Sequence, residues 1–343
     1  METKVYQTDQ LQEAAQKLKE GELIAFPTET VYGLGANALL PEAVKQVFAV
    51  KGRPSDNPLI VTVANFEMVK DYVDNFHPLT EKIVETYWPG PLTLIFTIKK
   101  ASLPPVVTGG LSTAAFRMPA NKKTRDLIAL AKVPLVGPSA NTSGKPSPTT
   151  SEHVYHDLKG KIAGIVDDGA AQIGLESTVL DLSDATKDPV ILRPGAITQE
   201  ELSKTLGIPV LLDKHLVSES EAPKAPGMKY KHYAPDTKVL LVKDGDWQKA
   251  KEWVKDNHLR AGVLAGPKVS EEMRYDTACV FMYSKDTATA AAKGLFAGLR
   301  ALDDAALDLD VILAEVYPEN GIGAAYMNRL KKSANQQYFT AED

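Results

Sequence analysis

Pro134-Leu-Val-Gly-Pro-Ser-Ala-Asn-Thr-Ser-Gly-Lys145 decides what kind of α/β protein this is. A short apolar strand runs into a loop of glycine and small polar residues that ends on a lysine, the outline of a phosphate-binding P-loop. The spacing rejects that motif. Gly137 and Gly144 stand seven positions apart rather than five, and Pro146 takes the place of the magnesium-binding Ser or Thr. What is left is a loop leaving a buried strand, with hydroxyl, amide and ammonium groups from Ser139, Asn141, Thr142, Ser143, Lys145 and Ser147. Loops at strand ends are where α/β folds hold small ligands. An ordinary Ser/Pro-rich surface loop is the competing reading, and the loop alone does not separate the two.

Working outward, similar apolar runs recur at Leu23–Phe26, Leu59–Val63, Leu92–Ile98, Thr113–Met118, Ile162–Val166, Thr178–Leu182 and Val190–Leu192. Helical patterns sit at Glu42–Val50, Phe66–Val73, Leu79–Trp88, Lys122–Ala131 and Ser151–Leu158. A first helix carries the stripe Leu11, Ala14, Ala15, Leu18, with Thr8 or Asp9 as its cap and Gly21 after its end. Thr198-x-x-Glu201 is a capping box opening a helix that closes near Gly207. Some neighbouring strands leave no room for a crossover helix, which predicts an α/β domain with a mixed sheet. Gly33-Leu-Gly-Ala-Asn-Ala38 has dinucleotide-motif spacing, but the next helix starts after Pro41, so we read a tight turn needing positive φ. Pro, Gly and charge break the periodicity after residue 207. Strands and crossover-length helices then alternate to the end, predicting a small parallel, Rossmann-like α/β domain. The expected division is residues 1–207, a linker at 208–237, and 238–343.

Composition narrows the chemistry. The chain has 343 residues and a net charge of −5, so it is no basic nucleic-acid module. Yet Lys99 to Lys145 holds eight basic residues against one acid, Asp126, which fits a solvated face or an anion site. Cys279 is the only cysteine, which excludes an intrachain disulfide, a cysteine zinc site and an iron–sulfur cluster. The six histidines show no metal-ligand spacing, and there is no Gly-x-Ser-x-Gly elbow. The start lacks a signal-peptide core and no apolar run reaches the roughly 18 residues of a membrane span, so a cytoplasmic protein is expected.

Three further segments carry charge next to apolar sequence. Lys51-Gly-Arg-Pro-Ser-Asp-Asn-Pro58 follows a helix; its cations either neutralise the helix end or grip phosphate, Arg by a fork and Lys as a point charge. Arg117 ends the apolar strand Thr113-Ala-Ala-Phe-Arg. It either pairs with an internal carboxylate or receives an anionic ligand, because a buried guanidinium left alone is too costly. Arg193 in Ile191-Leu-Arg-Pro-Gly195 poses the same choice, and Ser177-Thr178 opens a strand with hydroxyls beside it.

Six motifs in order change the weighing: Pro27-Thr-Glu-Thr-Val-Tyr-Gly-Leu-Gly35, Lys51-Gly-Arg53 through Asn57-Pro-Leu, Trp88-Pro-Gly-Pro-Leu-Thr93, Arg117-Met-Pro, Pro138-Ser-Ala-Asn-Thr-Ser-Gly144 and Leu192-Arg-Pro-Gly195. Over residues 8–205 the chain resembles the YrdC-like family of threonylcarbamoyl-AMP synthases. Ala225–Pro235 and the smaller domain, including Gly321-Ile-Gly-Ala-Ala-Tyr-Met-Asn-Arg329, resemble its long two-domain form. The resemblance implies a YrdC-like mixed, twisted sheet and an ATP-dependent nucleotidyltransferase. L-threonine, bicarbonate and ATP, with Mg2+, would give threonylcarbamoyl-AMP and pyrophosphate. A separate transferase complex would then modify tRNA next to the anticodon. It further implies catalytic Lys51 and Arg53; an ATP site of Lys51, Arg53, Asn57, Ser139, Asn141, Ser147, Arg193 and Tyr230; and a threonine site of Thr30, Thr62, Arg117 and Ser177. Many members carry His where Thr62 stands. No protein-held metal site, no membrane contact and no obligatory tRNA contact are expected. Residues 225–235 are expected to fold over the cleft as a lid. The competing reading is an RNA-binding YrdC-like module using the basic segment 99–145. A hydrogenase-maturation type of carbamoyl transferase is excluded by length and by its missing cysteines.

Overall fold

In the structure, a computed structural model that describes residues 2–213 and 233–340, the chain forms two units. The first begins with β1 (Lys4–Tyr6), α1 (Leu11–Lys19), β2 (Ile24–Phe26), β3 (Gly33–Asn37), α2 (Pro41–Lys51), β4 (Ile60–Thr62), α3 (Glu67–Lys70), α4 (Thr80–Tyr87), β5 (Leu92–Thr97) and α5 (Pro105–Thr108). It continues with β6 (Thr113–Arg117), α6 (Lys122–Ala131), β7 (Leu135–Val136), α7 (Ser151–Leu158), β8 (Gly164–Val166), β9 (Thr178–Asp181), β10 (Val190–Arg193), α8 (Gln199–Leu206) and β11 (Leu211–Leu212). The eleven strands make one sheet in the order β1-β8-β2-β3-β7-β4-β6-β5-β9-β10-β11, with parallel and antiparallel pairs mixed as the short connections require. Leu211 and Leu212, read from sequence as linker, pair in parallel with β10.

Local chemistry explains the element ends. Pro41 stands at the start of α2, and Gly52, in the left-handed conformation at φ 63°, stops it. The capping box on α8 forms as read, Thr198 and Glu201 bonding each other's backbone N–H. The first helix departs from expectation. Gln10 precedes it, neither Thr8 nor Asp9 caps it, and α1 is instead held by burying Leu11, Ala14, Ala15 and Leu18 with Leu127 and Ile128 of α6.

The larger correction is at Gly33–Asn37. This is a fully buried strand rather than a turn, and neither Gly33 nor Gly35 has positive φ. Glycine is needed there for space. A Cβ on Gly33 would lie 2.7 Å from the Phe26 ring, and one on Gly35 would lie 3.0 Å from it. The Phe26 ring, itself buried, occupies the room that side chains on the neighbouring strand would need.

Period-two alternation then sorts the middle strands. Val61, Leu94 and Phe116 enter the main core with Val44, Val47 and Phe48 of α2. Their neighbours Thr62, Thr93 and Arg117 lie on the opposite face, where Ile60, Ile95, Ala115, Val179 and Leu192 make only a small apolar cluster.

The second unit, residues 144–146 and 233–340, contains β12 (Lys238–Val242), α9 (Trp247–Asp256), β13 (Ala261–Ala265), α10 (Pro267–Met273), β14 (Cys279–Met282), α11 (Ala288–Leu302), β15 (Val311–Glu315) and α12 (Ile322–Ser333). Its four strands are all parallel, in the order β12-β15-β13-β14, a Rossmann-like arrangement. Among the described residues no helix is long and apolar enough to cross a membrane.

Replacing Gly33 by Ala should cost about 1–3 kcal/mol in urea unfolding, because the new methyl meets the Phe26 ring. Phe26→Leu should cost less in that background than in the parent; equal costs would mean the ring and the glycine are not coupled.

Candidate active site

One register line crosses the sheet: Thr62 of β4 is opposite Arg117 of β6, which is opposite Thr93 of β5, which is opposite Val179 of β9, which is opposite Arg193 of β10. Directly opposed residues share a face, so this line sets Thr62, Arg117 and Thr93 side by side. All three are buried.

Arg117 does pair with an internal carboxylate, one of the two partners the sequence allows. Its Nη2 donates to Glu29 Oε1 at 2.7 Å, its Nη1 to Thr30 Oγ1 at 2.8 Å and its Nε to Gly90 O at 3.4 Å. A guanidinium has five N–H donors, so two remain without a partner among the described residues. Glu29 is buried with it, and removing either partner would strand a buried charge at a cost of about 3–5 kcal/mol. A small recess lined by Phe26, Val31, Ile60, Thr62 and Gly137 lies against Arg117. Gly137 makes that floor: a Cβ there would lie 2.5 Å from Thr62 Oγ1.

Along the same face, the Thr93 and Ser177 hydroxyls are 2.8 Å apart. Arg193 donates from Nε and Nη2 to Ser177 O at 3.2 and 2.9 Å, and from Nη2 to Ser177 Oγ at 3.2 Å. Ser147 Oγ donates to Glu176 Oε1 at 2.6 Å, bringing the far end of the polar loop to the residue before Ser177.

The loop that opened the sequence reading runs along β3. Leu34 N donates to Pro138 O at 2.7 Å, Ala140 N to Tyr32 O and Tyr32 N to Pro148 O, each at 2.9 Å. The Tyr32 hydroxyl donates to Gly169 O at 2.7 Å, and burial pushes its phenol well above the ordinary range, so it stays protonated. Lys51 sits at the end of α2, only 2% exposed, and its ammonium donates to Ser139 O and, at 2.6 Å, to Asn141 O. Ser143 N returns a bond to Lys51 O at 2.8 Å. The two signature segments are therefore in direct contact. Among the described residues the Ser139 hydroxyl has no hydrogen-bond partner, so it is open to a ligand. Arg53 Nη2 donates to Pro58 O at 3.3 Å, and Asn57 is buried in the same loop with Oδ1 unpartnered.

Of the residues expected at the site, Thr30, Thr62, Arg117 and Ser177 come together on one face, joined through Thr93. Lys51, Ser139 and Asn141 form a second contact group. It is linked to the first because Ser139 bridges to Gly33 beside the recess. Arg193 and Ser147 attach at Ser177 and Glu176. Tyr230 and residues 225–232 of the expected lid lie outside the described residues. Sequence reading missed Glu29, Thr93 and Glu176 as members. Arg117 itself was the available signal for Glu29, since a strand-borne arginine demands an internal acid or an anionic ligand. Lys51, Arg117 and Arg193 are buried here against two buried carboxylates, Glu29 and Glu176, a balance that suits anionic ligands. Within the basic segment, Lys99 pairs with Asp74 at 3.4 Å and Lys122 with Asp126 at 2.8 Å.

Fold and site together describe an α/β protein that sets buried side-chain cations beside a polar loop. The Sua5/YciO/YrdC family model, whose description reads telomere recombination, matches residues 16–195, and the threonylcarbamoyl-AMP synthase C-terminal domain model matches residues 197–335. The threonylcarbamoyl-AMP synthase of Bacillus subtilis is 44% identical over 331 residues, covering 95% of this chain and 93% of its own. That of Pyrococcus abyssi is 45% identical over 328 residues, covering 94% and 93%. The crystal structure of P. abyssi Sua5 complexed with L-threonine is 41% identical with a TM-score of 0.89 and covers 99% of both chains. The chain thus belongs to the Sua5/YrdC family of threonylcarbamoyl-AMP synthases in its two-domain form, and it is an enzyme of the nucleotidyltransferase kind.

Lys51→Met should remove the donor shared by Ser139 O and Asn141 O. We expect a stability loss of about 1.5–3 kcal/mol per charged hydrogen bond and faster amide exchange at Ser143. Unchanged exchange there would mean that Lys51 does not hold the loop.

Proposed function

We propose that this enzyme makes L-threonylcarbamoyl-AMP from L-threonine, bicarbonate and ATP, releasing pyrophosphate and water. The observation that carries the reading is the continuous line from Thr30 and Arg117 through Thr93 to Ser177, lying beside the Lys51–Ser139–Asn141 loop. One group suits a small amino acid and the other suits phosphate. The relative solved with L-threonine supports the choice of amino acid.

The threonine amine forms a bond to the bicarbonate carbon and water leaves, giving a carbamate. A carbamate oxygen then attacks the α-phosphorus, and the bond to pyrophosphate breaks. Neither step needs a covalent enzyme intermediate, so the protein's task is to hold three small anions together and stabilise the leaving charge. Arg117 receives the threonine carboxylate, with Thr30, Thr62 and Ser177 around it. Lys51, Arg53, Asn57, Ser139, Asn141, Ser147, Arg193 and Tyr230 serve ATP. Among the described residues no group of three or more His, Cys, Asp or Glu is placed to hold a metal ion. Magnesium in this reading arrives on the nucleotide phosphates, its usual partners. The product passes to a transferase complex that modifies the tRNA adenosine next to the anticodon. We assign the work to the cytoplasm, where ATP and tRNA are available.

Pyrophosphate release from ATP, measured with threonine, bicarbonate or ATP omitted in turn, should fall to background each time. Release that ignores threonine would refute the reading. Lys51→Ala should chiefly impair ATP use, whereas Arg117→Ala should chiefly raise the threonine requirement; identical defects would cancel these role assignments.

A further inference from the structure

The hydrogen bonds around Arg117 have a fixed direction. Thr28 Oγ1 donates its one proton to Val31 O at 2.6 Å. Thr28 Oγ1 also accepts from Thr30 N at 3.1 Å and from Val31 N at 3.2 Å, which uses both of its lone pairs, and the Thr30 hydroxyl lies 2.8 Å from it. Towards Arg117 Nη1 the Thr30 hydroxyl accepts, at 2.8 Å. On the other side of the guanidinium, both carboxylate oxygens of Glu29 are engaged. Oε1 accepts from Arg117 Nη2 and Oε2 accepts from Ala120 N at 3.0 Å. The backbone of Glu29 is pinned as well, its carbonyl accepting from Ile173 N at 2.8 Å. Glu29 therefore ties three separate segments together at the point where the guanidinium is held. With both carboxylate oxygens engaged, Glu29 works through Arg117 rather than by touching substrate.

We propose that Glu29 is the positioning residue of the substrate-carboxylate receptor, fixing the Arg117 guanidinium so that its two remaining N–H groups meet the carboxylate. This rests on the reading that Arg117 takes the carboxylate of threonine. A guanidinium fork grips a carboxylate with two parallel N–H bonds, so the affinity depends on where the fork is aimed. Glu29 also neutralises Arg117 before substrate arrives, so recognition comes from geometry more than from net charge. A glutamine at this position has one acceptor oxygen for two donors. Its amide group would face either Arg117 Nη2 or Ala120 N, donor against donor, and the fork would shift.

The test compares the parent enzyme with E29Q, R117M and the double variant E29Q/R117M. It reads KM for threonine and for ATP by pyrophosphate release, and threonine binding without ATP by calorimetry. E29Q should raise the threonine KM and the calorimetric Kd about tenfold, the worth of a charged hydrogen bond, and leave the ATP KM within about twofold. The double variant should need no more threonine than R117M alone, because Glu29 has nothing left to position. Equal rises in both KM values, no rise in either, or a double variant a further tenfold worse than R117M would overturn the proposal. Should E29Q fail to fold, R117M and the double variant decide the matter, since removing both charges leaves no stranded ion. If parent turnover ignores threonine, the proposed reaction fails. Threonine binding that E29Q leaves unchanged, in an enzyme that does use threonine, sinks only the role of Glu29.

Discussion

The ion pair between Arg117 and Glu29 lies in the sheet itself, between a residue of β6 and a residue of the loop leaving β2. A charge in that position is tolerated only if its neighbours are arranged around it. Flanking strands must offer small polar side chains rather than apolar ones, which Thr62 and Thr93 do. The loop after β2 must stay in place, and it is held by Thr124 donating to Pro27 O and Ile173 donating to Glu29 O. The main core lies on the other face, and on this face the apolar cluster under α1 and α6 reaches as far as Leu135, directly opposite Thr62.

The loop proposed above to serve ATP is built differently from a glycine-rich P-loop. There the backbone wraps the ligand and a helix N-terminus faces it. Here a buried lysine at the C-terminal end of α2 reaches into the loop and binds its carbonyls, so the loop is shaped by a cation that also adds positive charge nearby. A lysine in this place stabilises the helix end, organises the loop and favours anions at once. The two alternatives raised by sequence, helix-end neutraliser and phosphate grip, are therefore not exclusive.

How much was legible follows from how local each signal is. The helix ending at Gly52 and the capping box on α8 were readable because their causes lie within four residues. The alternation of the second unit was readable because each strand carries its own apolar run. Its α10 lies between two neighbouring parallel strands, β13 and β14, which require a crossover between them. β3 was misread because glycine carries no side chain to mark a period, and the reason for its glycines sits on another strand, in Phe26. That Arg117 needs either an internal acid or an anionic ligand was legible; that Glu29, 88 residues away, pairs with it was not. Nor could any local pattern place Thr93 opposite Arg117, because register is decided by pairing across the sheet.

The strand order has a consequence for how the chain is made. β8 lies between β1 and β2, so β1 has no other neighbour, and β2, paired with β3 on one side, keeps its other edge open until residues 164–166 are made. A ribosome adding 5–20 residues per second needs on the order of ten to thirty seconds to travel from Tyr6 to Val166. During that interval the nascent chain carries an open sheet edge, apolar at Ile24 and Phe26, with no native partner yet synthesised. The protein is therefore most exposed to mispairing and to chaperone capture during its own translation, before its active site can exist.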